Sequence, residues 1–422
     1  MKHLLLFDVD SVLVEATGYL RGLQDTVAHF SRRMGVGEHP PTEDDIRAGE
    51  AFGLTSEWDS APTYISALLL ARLRLEPEYA PPVSFADALE ALGARPRAIS
   101  RPDYVGLVAQ VGGRLRQMGG ATAPAARAEL WEQARSLPPA QRDAFGAWLD
   151  ALFGHTHDFA QAPITQHFQN LVIGSAAISA TYGVAALFDS PPYLREYDVP
   201  LLDDAVRGRL LALLGRTSTD LTDGTDGRIS PVNSVPSVEN LGAVLYTARP
   251  SLPPADVSAS RLGYSPEAEI ARALVGLEGL PLIGLGHLQW LAERVGADVA
   301  TLVKPSPVQA LAAISAAASG GEAAALEAAW ELYSAHRLSV PLSGLGAVAV
   351  HIFEDSAGGL RAVRDAVAAL KAAGVAADFR PYGITPATGA KAEAMAGLGV
   401  TTYRSVNDAL AAALALITVG GD

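Results

Sequence analysis

Asp8 and Asp10 stand two residues apart, directly after the apolar run Leu4-Leu5-Leu6-Phe7. On extended backbone such positions project to the same side. The pair can therefore divide labour, one carboxylate attacking phosphorus while the other manages the leaving-group proton. Ordinary turn or helix-capping aspartates would look the same. A second acidic pair, Glu354-Asp355, ends the apolar run 347–353, and Ser356 beside it suits the N-cap of a following helix. A third run, 242–246, stops at Thr247-Ala248-Arg249. Thr247 offers a hydroxyl and a backbone N–H to a phosphate oxygen. Arg249 could fork onto a second, substrate oxyanion or join a surface ion pair. Lys304, in Val303-Lys304-Pro305-Ser306-Pro307, is the kind of cation that charge developing on a transferring phosphoryl group needs.

These residues act together only if something gathers them. Unbroken apolar runs of this length read as fully buried strands of a parallel sheet, and ligands of such sheets bind outside the carboxyl ends of the strands. If the first and last runs lie centrally in one sheet, Asp8, Asp10, Glu354 and Asp355 crowd a small volume. Like charges so close cannot all ionise without a cation. Hard oxygen ligands with room for water suit Mg²⁺.

Between the first and second strands lie about two hundred residues of helical pattern. Within them, 138–153 carries Phe145, Trp148, Leu149 and Leu152 at helical spacing behind a proline pair, and 201–214 is a further helix ended by Gly215. Residues 216–240 are rich in Ser, Thr, Asp, Gly and Pro, the composition of a loop or hinge. Asp220, Asp223 and Asp226 in that stretch lack the alternate spacing of a calcium loop. After 241 strands and helices alternate, with a helix over 358–373, short strands at 375–379 and 400–403, and Ser405 and Asp408 opening the last helix as a capping pair. The fold class expected is α/β: a doubly wound, mostly parallel, Rossmann-like sheet with a large all-helical domain inserted after the first strand. The expected domains are 1–15 with 235–422, and 16–234 with its linker at the C-terminal end.

With 422 residues, 49% apolar and 18% charged, the chain has ample core and is not disordered. A net charge of −14 argues against nucleic acid as partner. The absence of cysteine excludes disulfides, thiolate catalysis and cysteine-bound metals. Asp8 and Asp10 cut the N-terminal apolar stretch too short for a signal peptide. Residues 169–188 hold no charge but carry Gln169, Asn170, Ser175, Ser179, Thr181 and Gly183, which suits a buried helix or helix pair better than a membrane span. A cytoplasmic protein off the membrane is expected. His155 and His157 form an H-x-H without a third ligand nearby, so a solvated loop is the simpler reading. Gly284-Leu285-Gly286 lacks the third glycine of a dinucleotide fingerprint. Residues 310–333, broken by Gly320-Gly321, read as two packed alanine-rich helices.

Taken in order, Asp8-Val9-Asp10-Ser11-Val12, Thr247, Lys304-Pro305-Ser306-Pro307 and Phe353-Glu354-Asp355-Ser356 resemble the four motifs of the haloacid dehalogenase (HAD) superfamily. The resemblance covers the α/β portion at both ends of the chain, roughly half its length. It implies a Rossmann-like core in which Asp8 becomes an aspartyl-phosphate and Asp10 is general acid and then base. Thr247 and Lys304 would hold phosphoryl oxygens, and the last acidic pair would hold Mg²⁺. The insertion resembles a type-1 helical cap, which would close over the site and select the leaving group, although it is larger than usual. Ser11 stands where many members have Gly. Residues 52–59 look like a cap segment of some phosphatase-like members. The function implied is Mg²⁺-dependent hydrolysis of a phosphomonoester of a small metabolite. The alternatives are a phosphomutase and a catalytically idle binding or scaffold protein. Dehalogenation is disfavoured because that activity lacks the second aspartate, here Asp10.

Overall fold

The computed structural model describes residues 1–119, 121–215, 240–386 and 390–419. Two compact units divide the chain, Met1–Ala16 with Asp198–Asp422, and Thr17–Tyr197. The first is the α/β unit. Its strands are β1 (Lys2–Phe7), β2 (Val14–Glu15), β3 (Val199–Pro200), β4 (Leu241–Tyr246), β5 (Leu282–Ile283), β6 (Val348–Glu354), β7 (Ala377–Ile384) and β8 (Thr402–Tyr403). Six of them form one sheet in the order β5-β4-β1-β6-β7-β8, every ladder parallel.

The apolar runs are unbroken because both faces of the sheet are buried. Leu4, Leu6, Val244, Tyr246, Val350 and Ile352 point into one core, filled from the helices Leu285–Val295, Pro307–Ser319, Ala323–Ala335 and Ala357–Ala372. Their alternates, Leu5, Phe7, Ala243, Leu245 and Phe353, point into a second core with the helices Asp204–Leu213, Glu267–Leu274 and Val406–Val419. This is a doubly wound, Rossmann-like α/β fold. The alanine-rich helix Pro307–Ser319 lies so close to β4 that a Cβ at Gly242 would sit 1.9 Å from the Ala317 carbonyl oxygen. From β1 the chain reaches β4 and β5 on one side, then returns to β6 on the other and runs outward to β7 and β8. The carboxyl ends of β1, β4 and β6 therefore flank the topological switch point, where such folds bind ligands.

Residues 201–214 do form a helix, Asp204–Leu213, but it belongs to the α/β unit and not to the helical insertion. Leu210, Leu211 and Leu213 pack with Leu5 and Phe7. The Asn407 side chain bonds the Leu201 carbonyl and the Asp203 N–H, and β3 pairs antiparallel with β2. Helical periodicity shows that one face is buried and cannot show against which unit. The expected hinge and its aspartates Asp220, Asp223 and Asp226 lie outside the described residues.

The second unit has no strand among the described residues. Its helix Pro139–Phe153 opens with Pro139 in its first turn and buries Phe145, Trp148, Leu149 and Leu152, the stripe the sequence announced. Residues 169–188 include the end of one helix, Pro163–Ile173, and the whole of another, Ser175–Tyr182, split at Gly174. There φ is +78°, and a Cβ would meet the Pro192 nitrogen at 2.7 Å. No helix among the described residues is long and apolar enough to cross a membrane.

One polar chain crosses the second core of the α/β unit. His3 Nδ1 lies 3.1 Å from His351 Nε2, and His351 Nδ1 lies 3.3 Å from the Tyr382 hydroxyl. Burial, with the neighbouring His3 and Arg380, pushes the His351 imidazole down to about 3. An unfolded chain takes up this proton as pH falls below about 6.5, whereas the folded one resists until about 3. The contribution is therefore fully present above the unfolded value and is lost as pH falls through that window. His351→Gln should reduce the fall in melting temperature between neutral and acidic pH. An unchanged slope in that variant would remove His351 as a source of acid lability.

Candidate functional site

β1 and β6 are neighbours, and Phe7 pairs with Phe353. One step further the Asp8 N–H donates to the Phe353 carbonyl at 3.0 Å, so Asp8 and Glu354 leave the sheet side by side. Lys304 arrives between them from the loop before the helix Pro307–Ser319. Its Nζ lies 2.9 Å from Asp8 Oδ1 and 3.0 Å from Glu354 Oε2, and 4.9 Å from the centre of the Tyr246 ring. Asp8 Oδ1 also accepts the Val9 N–H at 2.8 Å. Asp8, Glu354 and Asp355 are 5%, 0% and 9% exposed, so these are charges largely withdrawn from water.

Each of these three carboxylates offers an oxygen, and the three oxygens lie within 4.8 Å of one another. Among the described residues no other group of three His, Asp or Glu side chains converges in this way. Burial pushes the Asp8 carboxyl well above the usual range, Glu354 and Asp355 add to this, and Lys304 offsets part of it. Burial likewise raises Asp355, against the pull of Lys391. For Lys304, burial alone would favour the neutral amine. Asp8 and Glu354 outweigh it and hold the ammonium well above its ordinary value. Crowded carboxylates short of positive charge, with exclusively oxygen donors, suit a hard divalent cation.

The surrounding side chains fix this arrangement. Glu354 Oε1 accepts both the N–H and the hydroxyl of Ser356, at 3.1 and 2.7 Å. Ser356 in turn caps the helix Ala357–Ala372 by accepting from the Gly359 N–H. A Cβ at Gly359 would fall 2.0 Å from Glu354 Oε2, so only glycine fits beneath that carboxylate. Gln309 donates to the carbonyls of Thr247 and Ile283 at 2.7 and 3.1 Å and accepts the Lys304 N–H at 3.2 Å. One buried amide thus ties β4, β5 and the lysine loop together.

Asp10, expected among the metal ligands, is not part of the three-carboxylate group. It lies in the turn after β1, where the Ser11 N–H donates to Val14 O at 2.8 Å. Ser11 has φ +60°, a left-handed conformation that glycine adopts without strain. Asp10 Oδ1 accepts from Arg249 Nε and Nη2 at 2.8 and 2.5 Å, and Nη2 also reaches Asp198 Oδ2 at 2.9 Å. The fork of Arg249, expected on a substrate oxyanion or on the surface, is instead buried between two carboxylates of its own chain. Asp198 was missed because an aspartate between Tyr197 and Val199 carries no local signal. Thr247 is fully buried at the end of β4. Its backbone N–H, expected to be available to phosphate, donates to the Ile283 carbonyl at 3.2 Å, because β4 still pairs with β5 there. Its hydroxyl accepts the Arg249 N–H at 3.1 Å. Lys391, also missed, pairs with Asp355 Oδ2. In the helical unit, His157 Nε2 lies 3.3 Å from Asp59 Oδ1, and that pair belongs to no three-ligand group.

Comparison with protein-family models finds no match, and comparison with curated proteins finds none. Among solved structures the chain is similar to the X-ray structure of Northeast Structural Genomics Consortium target ZR25, with TM-score 0.60 and 14% identity over 99% of this chain and 100% of that one. At that identity the likeness shows a shared fold. Phosphatase Tt82 from Thermococcus thioreducens is also similar, with TM-score 0.38 and 14% identity over 90% of this chain and 92% of that one. A score that low carries no argument about this chain.

Gln309→Leu keeps the approximate volume but strands two carbonyls and the Lys304 N–H. A buried polar group left unpaired costs about 1–3 kcal/mol. The variant should unfold at lower denaturant concentration by at least about 2 kcal/mol, and stability equal to the parent's would show that Gln309 does not fasten the loops.

Proposed function

We propose that this protein is a Mg²⁺-dependent hydrolase of phosphomonoesters of a small metabolite, working through an aspartyl-phosphate on Asp8, as the resemblance to HAD phosphatases implies. The observation that carries the reading is the meeting of Asp8, Lys304, Glu354 and Asp355 at the switch point of a parallel sheet. Composition alone cannot produce that convergence, because these residues come from three distant places in the chain.

Asp8 Oδ1 is held by the Val9 N–H and by Lys304, which leaves Oδ2 as the attacking atom. It forms a bond to phosphorus as the bond to the leaving oxygen breaks, and Asp10 gives that oxygen a proton. Arg249 fixes Asp10 through Oδ1, so the second carboxylate oxygen is the one that carries the proton. Asp10 then takes a proton from water, whose oxygen attacks the phosphorus and releases Asp8 and inorganic phosphate. Lys304 remains beside the transferring group and balances its charge. Thr247 meets phosphate through its hydroxyl.

Asp8 and Asp355 would hold Mg²⁺, with Glu354 contributing less, because Glu354 already serves Ser356 and Lys304. When bound, the ion would neutralise the carboxylates and polarise a phosphoryl oxygen. The helical unit, in the role of a cap, would choose the leaving group, so substitutions there should redistribute activity among substrates. The substrate on this reading is a small phosphorylated compound of the cytoplasm.

A panel of phosphorylated metabolites with Mg²⁺ tests the reading. The parent should release phosphate, folded Asp8→Asn should release none, and Asp355→Asn should need far more Mg²⁺ than Glu354→Gln. Phosphate release by folded Asp8→Asn, or by the parent after thorough chelation, would refute the mechanism.

A further inference from the structure

Lys304 and Lys391 both pair with carboxylates of the same group, yet they are held very differently. The Lys304 side chain is 12% exposed and touches two carboxylates. That of Lys391 is 61% exposed and pairs with Asp355 alone. It projects from the short helix Ala390–Ala396, which follows β7.

We infer that Lys391 is a displaceable counter-ion of the metal site: it neutralises Asp355 in the metal-free protein, and a divalent cation enters by driving it off. This rests on the reading of Asp8, Glu354 and Asp355 as a metal-binding group. When ionised, the three carboxylates carry three negative charges, and the two lysines return two positive ones. With Lys391 in place a single negative charge is left to attract an ion; with it gone there are two. Asp355 is 9% exposed, so a carboxylate left there without a partner would be costly. Lys391 removes that cost while the ion is absent.

Its exposure makes the exchange possible. A solvent-exposed lysine–carboxylate pair is weak, and the flexible lysine stem can carry the ammonium into water without moving the backbone. Lys304, buried and doubly paired, stays where it is and remains available to a phosphoryl group. The two lysines thus divide the work between a permanent and an exchangeable charge. The sequence neighbourhood of Lys391 does not reveal its part, because an isolated lysine in an Ala-rich helix reads as a solvated surface charge.

The test is Mg²⁺ titration of the full chain by calorimetry, without any substrate. Lys391→Gln should tighten Mg²⁺ binding about three- to tenfold, the scale of a partly exposed ion pair together with the removed repulsion. Lys391→Arg, which keeps the charge, should bind close to the parent, and Asp355→Asn should lose most of the binding in either background. Binding by Lys391→Gln equal to or weaker than the parent's would overturn the inference and leave the metal reading standing. Failure of the parent and of Lys391→Gln alike to bind Mg²⁺ would overturn both. Circular dichroism should show both Lys391 variants folded, since the side chain at 391 is largely exposed.

Discussion

The buried ammonium of Lys304, lodged between Asp8 and Glu354, is the contact on which the rest of the site depends. Two carboxylates emerging side by side from adjacent parallel strands would repel each other. The lysine makes the juxtaposition tolerable, and it is itself tolerated only because both carboxylates answer its charge. Removing one member of such a buried set typically costs about 3–5 kcal/mol. That is a large share of the roughly 5–15 kcal/mol by which a domain is stable. Delivery of Lys304 to this point is a task for the whole α/β unit. Gln309 holds the lysine loop to the ends of β4 and β5, and the alanine-rich helix beneath it lies against Gly242.

A second charge cluster flanks the first. Arg249, three residues beyond β4, binds Asp10 after β1 and Asp198 just before β3. It therefore ties the turn after β1 and the segment entering β3 to the end of β4, all within the α/β unit. The cluster engages Asp10 through Oδ1. On the proposed mechanism Arg249 would be a positioning residue, acting on substrate only through Asp10.

Strands were the most legible part of the fold, because burial on both faces leaves an unbroken apolar run that few other environments produce. The helices at 138–153 and 358–373, and the capping pair Ser405 and Asp408, were legible for similar local reasons. Membership was not. Residues 201–214 form a helix whose apolar stripe could face either unit, and only its packing on Leu5 and Phe7 decides. Within the site, Asp8, Glu354 and Asp355 were marked by their place at strand ends, and Lys304 by the Lys-Pro-Ser-Pro segment that follows an apolar run. Gln309, Asp198, Gly359 and Lys391 were not marked at all, because their roles arise from partners as far as 62 residues away or from the absence of a side chain. The Thr247 N–H was misjudged in the same way, as open to a ligand when the fold had already engaged it, and Arg249, left between an oxyanion and a surface ion pair, forms an ion pair that is buried.

The account stands on Asp8 forming a covalent bond to phosphorus. Acid-quenching Asp10→Ala during turnover of p-nitrophenyl phosphate with Mg²⁺, followed by peptide mapping with mass spectrometry, tests this most directly. The account predicts a phosphoryl group on the peptide bearing Asp8, located at that residue, because removing Asp10 slows hydrolysis of the intermediate. Turnover of that ester with no phosphoryl group on Asp8 at any quench time, or with the adduct on another residue, would contradict it.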